Sequence, residues 1–272
     1  MPAIPIDDPD DPRLAMYRHL KATNLTRHAG RFVVEGEPLF DRLRASRFPM
    51  ASVLASDRHA PRLSGRVPEG VPLYVMPHAR LEALVGFNFH RGVLACAERR
   101  PGPDLDAVVR GAGPRATLVV CPRIDNPENL GAIIRIADVF GVAAVVTGPR
   151  CPDPLSRRVL RVSMGTSLRV PVVTPDDLPA EADRLRSDEG FQLAASVTDP
   201  SAEPIDALAR SRPDRLALAL GPEAHGLDPG WLARCDRRVT IPMRPGAESL
   251  NVAVAAGILL YELTRPCLGR TS

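Results

Sequence analysis

With 272 residues, 44% hydrophobic and 25% charged, the chain is long enough for one large or two modest domains with real apolar cores. No apolar run approaches the roughly 18 residues that a membrane-crossing helix needs, so no membrane partner is expected. The net charge of +3 conceals an asymmetry, since residues 13–100 carry 15 Lys+Arg against 7 Asp+Glu while residues 101–272 carry 20 against 21.

The chain starts MPAIPIDDPDDPR, acidic and proline-rich, which matches neither a secretory signal nor a transit peptide. Residues 1–12 read as a disordered tail, and a cytoplasmic location is the expectation. Short alternating elements follow: a helix near Pro38–Ser46, a strand near Ser52–Ala55, another at Leu73–Val75, a helix at Ala79–Val85 and a strand at Val93–Ala97. These make a small α/β domain ending near residue 100. Its basic balance suits a polyanionic partner, although arginine supplies all but Lys21 of the cationic side chains in the whole chain, as GC-rich coding would.

ERRPGPDLDAVVRGAGPR (98–115) is rich in Gly, Pro and Arg and reads as a boundary, with a linker at 101–115. Beyond it, strands of buried type alternate with helices from residue 116 to 272. ATLVVC (116–121) is the first strand, LGAIIRIADVF (130–140) a helix at apolar 3.6 spacing, and GVAAVVTG (141–148) the next strand. RVPVVT, FQLAASV, RLALALG and RRVTIP give further strands, with helices near Pro154–Ser163, Asp176–Arg186 and Leu250–Thr264. Continuous apolar strands alternating with helices predict an α/β fold with a parallel sheet covered on both faces.

Five scattered cysteines without a CxxC pair argue for reduced structural thiols and against a disulfide framework or a zinc site. The six histidines are dispersed, so no metal is expected. GxGxxG after a strand, GxxxxGK[ST], HExxH and GxSxG are all absent.

Ligands of parallel α/β sheets collect at the carboxyl ends of strands, and three unusual loops sit there. In IDNPENLGAIIR (124–135), Asn129 falls near a helix start where it could cap, and Gly131 opens space one turn from Arg135. In GPEAHGLDPG (221–230), Glu223 stands on a tightly turning backbone. In IPMRPGAESLNVAVAAG (241–257), Ser249 and Asn251 precede a strongly apolar helix, and Ser249 could serve as its cap. Each loop taken singly also reads as an ordinary capped turn.

Together, in this order, the three loops resemble the SpoU (TrmH-like) branch of the SPOUT superfamily of RNA 2′-O-ribose methyltransferases. Asn129, Gly131 and Arg135 match the first motif; Leu220, Gly221, Glu223, Gly226 and Leu227 match the second. Ile241, Pro242, Met243, Ser249, Leu250 and Asn251 match the third. RVSMGTSLRVPV (161–172) is similar to the family's Ser-x-Gly-Ala segment, with Thr166 in place of alanine, and Asn126 stands where relatives often carry Asp. FVVEGEPLFDRLRAS (32–46) and HRGVLACAE (90–98) resemble the L30e-like substrate-binding domain that precedes many such enzymes.

The resemblance implies a C-terminal parallel-sheet SPOUT domain with a deep trefoil knot, preceded by a small L30e-like α/β domain. It implies a homodimer with the site completed across the interface, and S-adenosyl-L-methionine as methyl donor. Leu220, Gly221, Glu223, Ile241, Met243 and Leu250 would hold the cofactor. Arg135 would be catalytic, with Asn129, Ser249 and Asn251 orienting it and the ribose, and Glu223 holding the loops. The substrate would be a structured RNA and not DNA, since the 2′-hydroxyl is the acceptor, with rRNA favoured over tRNA. A catalytically silent RNA-binding protein and an α/β enzyme acting on a small nucleotide-like ligand are the alternatives.

Overall fold

The computed structural model describes the chain except residues 1, 2, 19, 21–29, 87, 88, 223, 224 and 269–272, and the side chains of 266–268. It divides into two compact units, Met1–Pro101 with Leu155–Arg169, and Gly102–Pro154 with Val170–Ser272.

The first unit is built on a five-stranded mixed sheet. Its strands are β1 (Ile4–Pro5), β2 (Arg31–Glu35), β3 (Met50–Ser56), β4 (Leu73–Met76) and β5 (Val93–Glu98), in the order β1-β4-β3-β5-β2. β1, β4 and β3 run parallel, whereas β5 is antiparallel to both β3 and β2. Successive strand side chains point to opposite faces, so the run RFVVE needs cover on both. Phe32 and Val34 pack with Leu39, Phe40 and Leu43, and Val33 packs with Ile6, Leu14 and Tyr17. Leu39, Phe40 and Leu43 come from the helix Glu37–Arg44, which has proline in its first turn, Glu37 at its start and Arg42 and Arg44 in its last turn. Those charges complement the helix dipole.

Residues 1–12 are not the featureless tail that their composition suggested. Ile4 and Pro5 pair in parallel with Tyr74 and Val75, Ile6 is buried, and Asp11 caps a 3-10 turn over Pro12–Tyr17. β1 is an edge strand, where a proline costs the ladder little.

Residues 101–115 likewise contain a helix, Leu105–Gly111, whose first turn is capped by the Asp104 carboxylate accepting from the Asp106 N–H at 3.1 Å. Leu105 and Val109, one turn apart, enter the core of the second unit. The Gly-Pro punctuation marks the ends of this stretch and hides the helix between them.

That second unit carries seven strands: β6 (Ala116–Cys121), β7 (Ala144–Thr147), β8 (Val172–Val173), β9 (Gln192–Ser196), β10 (Glu203–Pro204), β11 (Arg215–Ala219) and β12 (Arg237–Thr240). Their order is β10-β12-β9-β11-β6-β7-β8, and every neighbouring pair is parallel. Leu118, Val120, Leu193, Ala195, Ala217 and Ala219 share one core with Phe191 and Trp231. The alternate residues Val119, Leu216 and Leu218 are equally buried, so both faces are covered as expected. The helix Pro127–Val139 packs against the last helix, Val252–Leu268.

The helix Arg157–Val162 belongs to the first unit although the chain on either side of 155–169 belongs to the second. Leu160 and Leu168 join the cluster around Phe40. Arg157 Nη1 donates to Glu35 Oε2 at 2.7 Å, and Glu35 is only 6% exposed. A carboxylate so deeply placed depends on its cation, because an unpaired buried charge costs several kcal/mol. The next guanidinium, Arg91, stands 3.9 Å away. Arg157→Met is therefore expected to lower the unfolding free energy by about 3 kcal/mol, read from denaturant midpoints. The double variant with Glu35→Gln should recover a large part of that loss, and an undiminished loss would show that packing rather than the charge is responsible.

Candidate functional site

All strands of the second unit point the same way, so the loops that follow them emerge at one edge of the sheet. Behind β6, the Cys121 carbonyl accepts from the Gly148 N–H at 2.9 Å and from the Cys151 thiol at 3.2 Å. A Cβ on Gly148 would lie 2.1 Å from the Pro122 oxygen, so only glycine lets the end of β7 close on this loop. Ile124 is fully buried beneath it.

The helix after β6 starts three residues earlier than its apolar spacing indicated. Its cap is Asn126, whose Oδ1 accepts from the Glu128 N–H at 2.8 Å, with Pro127 in the first turn. Asn129 is thus not the cap. It sits in the first turn facing inward, 8% exposed.

After β11, the Leu220 N–H donates to Val120 O at 2.8 Å and extends the ladder. The chain then doubles back, with the Gly226 N–H donating to Pro222 O at 2.9 Å. A Cβ on Gly221 would lie 2.4 Å from the Gly226 carbonyl carbon and 2.5 Å from the Leu227 nitrogen. No side chain fits there, which is the physical reason for glycine at this point. Glu223 lies outside the described residues.

After β12, Ile241 and Met243 are half-buried, while Ser249 and Leu250 are exposed. The last helix is capped by Asn251 and not by Ser249: Asn251 Oδ1 accepts from the Ala253 and Val254 N–H groups at 2.9 and 3.3 Å. With its oxygen so engaged, the Asn251 Nδ2 donates to Asn129 Oδ1 at 3.0 Å. Asn129 in turn keeps its own Nδ2 free of acceptors among the described residues.

Two of these loops, those after β11 and β12, border one pocket of ≈ 460 Å³, whereas Asn129 and Asn251 are not among its lining residues; the volume is in the ordinary range for small-molecule sites. Leu220, Gly221, Ile241, Met243, Ser249 and Leu250, all expected at the site, line it. Ser196–Asp199 and Arg238 line it as well, and no motif pointed to them. Their place follows from β9 lying between β11 and β12, an order that periodicity does not reveal. Arg135 is not among the lining residues; it is exposed and makes no hydrogen bond or ion pair with any described residue.

Burial pushes the Cys121 thiol well up and the Cys151 thiol up, so neither offers a thiolate near neutral pH. Cys96 and Cys235 are pushed up to about 11 by the same cause. The four described cysteines are free. Among the described residues no His/Cys/Asp/Glu group could hold a metal, and no helix is long and apolar enough to cross a membrane.

Comparison with known proteins agrees with this geometry. Residues 116–261 match the SpoU rRNA Methylase family. The chain is 39% identical over 264 residues to an uncharacterised tRNA/rRNA methyltransferase of Mycobacterium tuberculosis, covering 95% of this chain and 90% of that protein. It is 32% identical over 207 residues to the 23S rRNA (guanosine-2′-O-)-methyltransferase RlmB of Acinetobacter baylyi, covering 74% of this chain and 82% of the relative. Among solved structures, the SpoU methyltransferase AviRb of Streptomyces viridochromogenes superposes with a TM-score of 0.80 at 25% identity, over 96% of this chain and all of AviRb; AviRb has also been solved in complex with the cofactor AdoMet. The loops Ile124–Arg135, Gly221–Gly230 and Ile241–Gly257, gathered on one sheet edge, are thus carried by a member of the SpoU rRNA methylase family.

Proposed function

We propose that the chain transfers a methyl group from S-adenosyl-L-methionine to a ribose 2′-hydroxyl of a structured rRNA. The observation that carries this reading is the convergence of Leu220–Pro222 with His225–Leu227, of Ile241 and Met243, and of Ser249 and Leu250 on a single pocket in the unit that also holds the Asn129–Asn251 pair. RlmB, of which the chain covers 82%, is named for 2′-O-methylation of guanosine in 23S rRNA, and this favours rRNA over tRNA. The excess of basic residues between 13 and 100 suits an RNA-gripping domain of L30e type, and the compact mixed α/β unit there agrees with it. The reading includes the family's trefoil knot and a cytoplasmic setting.

The pocket fits the cofactor. Its volume, its apolar side chains Leu220, Ile241 and Met243 and the exposed backbone of its glycine turn suit a nucleoside with a flexible amino-acid tail. When bound, the cofactor supplies a methyl group made electrophilic by its sulfonium. The chain's own contribution is positional: the 2′-oxygen has to be held in line with the transferred methyl.

Asn129 is set for that task. Asn251 fixes its amide through Oδ1, and its Nδ2 remains to donate to a ribose oxygen. Ser249, exposed on the pocket wall, adds a second hydroxyl-sized donor or acceptor. Glu223 stands in the doubled-back loop by sequence and would help to hold it.

Arg135 acts by charge. A guanidinium scarcely deprotonates, so it serves as a bidentate grip on the adjacent phosphate and as a stabiliser of negative charge developing on the 2′-oxygen. Exposed and outside its own chain's pocket, Arg135 is best used across an interface between two copies. A face for that interface exists. Val254, Ile258 and Tyr261 recur at i, i+4 and i+7 on the last helix, and Val139 and Leu250 complete an exposed apolar set. Phe140 meets Tyr261 edge-on at 6.2 Å.

Four outcomes test this reading. Transfer of labelled methyl from S-adenosylmethionine to rRNA, with the methylated nucleotide mapped, is the direct measurement; methylation of a base instead of the ribose would refute it. Arg135→Lys should lower the rate by roughly a hundredfold because a point charge does not replace the fork, and near-normal turnover by the lysine variant would remove the bidentate role. Asn251→Asp keeps a good helix cap but turns a carboxylate onto Asn129 Oδ1. It should cost about 1–3 kcal/mol of stability through the unpaired Asn129 carbonyl, while turnover of the folded variant falls at least roughly tenfold. Ile258→Glu is expected to convert a dimer to a monomer in light scattering and to abolish transfer, and an active monomeric variant would place the whole site in one chain.

A further inference from the structure

Among the described residues lining the pocket, Asp199 is the only carboxylate and Arg238 the only guanidinium. They come from different strands. Asp199 lies in the loop after β9, and Arg238 lies within β12, paired with Ala195 of β9. Asp199 Oδ1 accepts from the Ser201 N–H at 2.8 Å and the Ser201 hydroxyl at 2.7 Å, which fixes the carboxylate in one orientation. The Ser201 hydroxyl, then its backbone, and also the Arg238 charge, hold this acid below the usual carboxylate range, so it is ionised at neutral pH.

Arg238 makes no hydrogen bond and no ion pair with any described residue, although its charge reaches Asp199. Two opposite charges therefore share one pocket without closing on each other. A guanidinium with open donors wants a planar anion, and a pre-oriented carboxylate wants a cationic donor. A ligand that carries both signs on one carbon satisfies the two at once, and that ligand chemistry is an α-amino acid.

We propose that Asp199 and Arg238 read the zwitterionic amino-acid end of the cofactor, Asp199 receiving the α-ammonium and Arg238 the α-carboxylate; the proposal rests on the S-adenosylmethionine reading above. The apolar wall of Leu220, Ile241 and Met243 is then left to the nucleoside. This pair does not distinguish donor from spent product, because S-adenosylhomocysteine carries the same zwitterion, so product is held as firmly as donor at this end. Both side chains are exposed, so their grip weakens as salt rises.

Titration calorimetry on the full chain tests this with three ligands: S-adenosylmethionine, its decarboxylated form, and 5′-methylthioadenosine, which lacks the amino-acid end. The native chain is expected to favour S-adenosylmethionine over the decarboxylated form by roughly tenfold. Arg238→Gln should erase that preference. Asp199→Asn should weaken both of those ligands by a similar factor and leave 5′-methylthioadenosine unchanged. An Arg238→Gln variant that keeps the preference overturns the carboxylate assignment. Equal weakening of 5′-methylthioadenosine by Asp199→Asn overturns the ammonium assignment and moves Asp199 to the ribose. If the native chain binds all three ligands equally, the cofactor reading stands and this proposal alone falls; if it binds none, both fall. Thermal midpoints of the variants report folding, and the equally uncharged Arg238→Met and Asp199→Ser replace any variant whose midpoint drops.

Discussion

A single hydrogen bond between two amides, Asn251 Nδ2 to Asn129 Oδ1 at 3.0 Å, joins the first turn of the helix after β6 to the start of the last helix. Its direction is dictated locally. Asn251 Oδ1 already accepts from two backbone N–H groups, so only the amino group can face Asn129. Asn129 is buried, and leaving its carbonyl unpaired would cost about 1–3 kcal/mol. The bond thus couples helix capping to the orientation of a polar side chain that has donors to spare. It also brings two helix N-termini together, where aligned peptide dipoles favour negative charge. A developing alkoxide is the kind of charge that such a place stabilises.

Around that bond, the parallel sheet does the gathering. Seven strands running one way deliver every following loop to one edge, and the order β12-β9-β11-β6 makes neighbours of chain segments up to about a hundred residues apart. Glycines then set how closely those segments can pass. At Gly221 the turn folds onto its own backbone at Gly226 and Leu227, and at Gly148 the end of β7 rests on Pro122. Either position with a side chain would force the backbone open, and at Gly221 the backbone so held is part of the pocket wall.

Much of this was legible in the sequence, and the reasons differ by element. ATLVVC has one buried face on each side and no competing pattern, so its strand bounds of Ala116–Cys121 were plain from hydropathy alone. The helix Leu105–Gly111 was obscured because Gly, Pro and Arg on both sides outweigh a short apolar pair at i, i+4. The strand at Ile4–Pro5 was obscured because proline-rich acidic composition resembles disorder, whereas two residues paired with β4 and one buried isoleucine suffice to order it. At the site, the second and third loop motifs named much of the pocket wall, while the first motif contributes none of it. The caps were displaced, Asn126 for Asn129 and Asn251 for Ser249, because any of four polar residue types can cap and only geometry selects one. Asp199 and Arg238 carried no local signal, since their meeting depends on strand order.

Leu250 connects the pocket to the rest of the molecule's chemistry. It lines the pocket and also belongs to the exposed apolar set with Val139, Val254, Ile258 and Tyr261. A second copy seated on that face would therefore cover the pocket rim as well as the helix. Excluding water from the rim lowers the local dielectric and strengthens every charge there, including Asp199, Arg238 and an arriving Arg135. On the dimer reading proposed above, dimerisation and cofactor grip would not be separate properties: the apolar stripe would supply the dryness that three exposed charged side chains need in order to act.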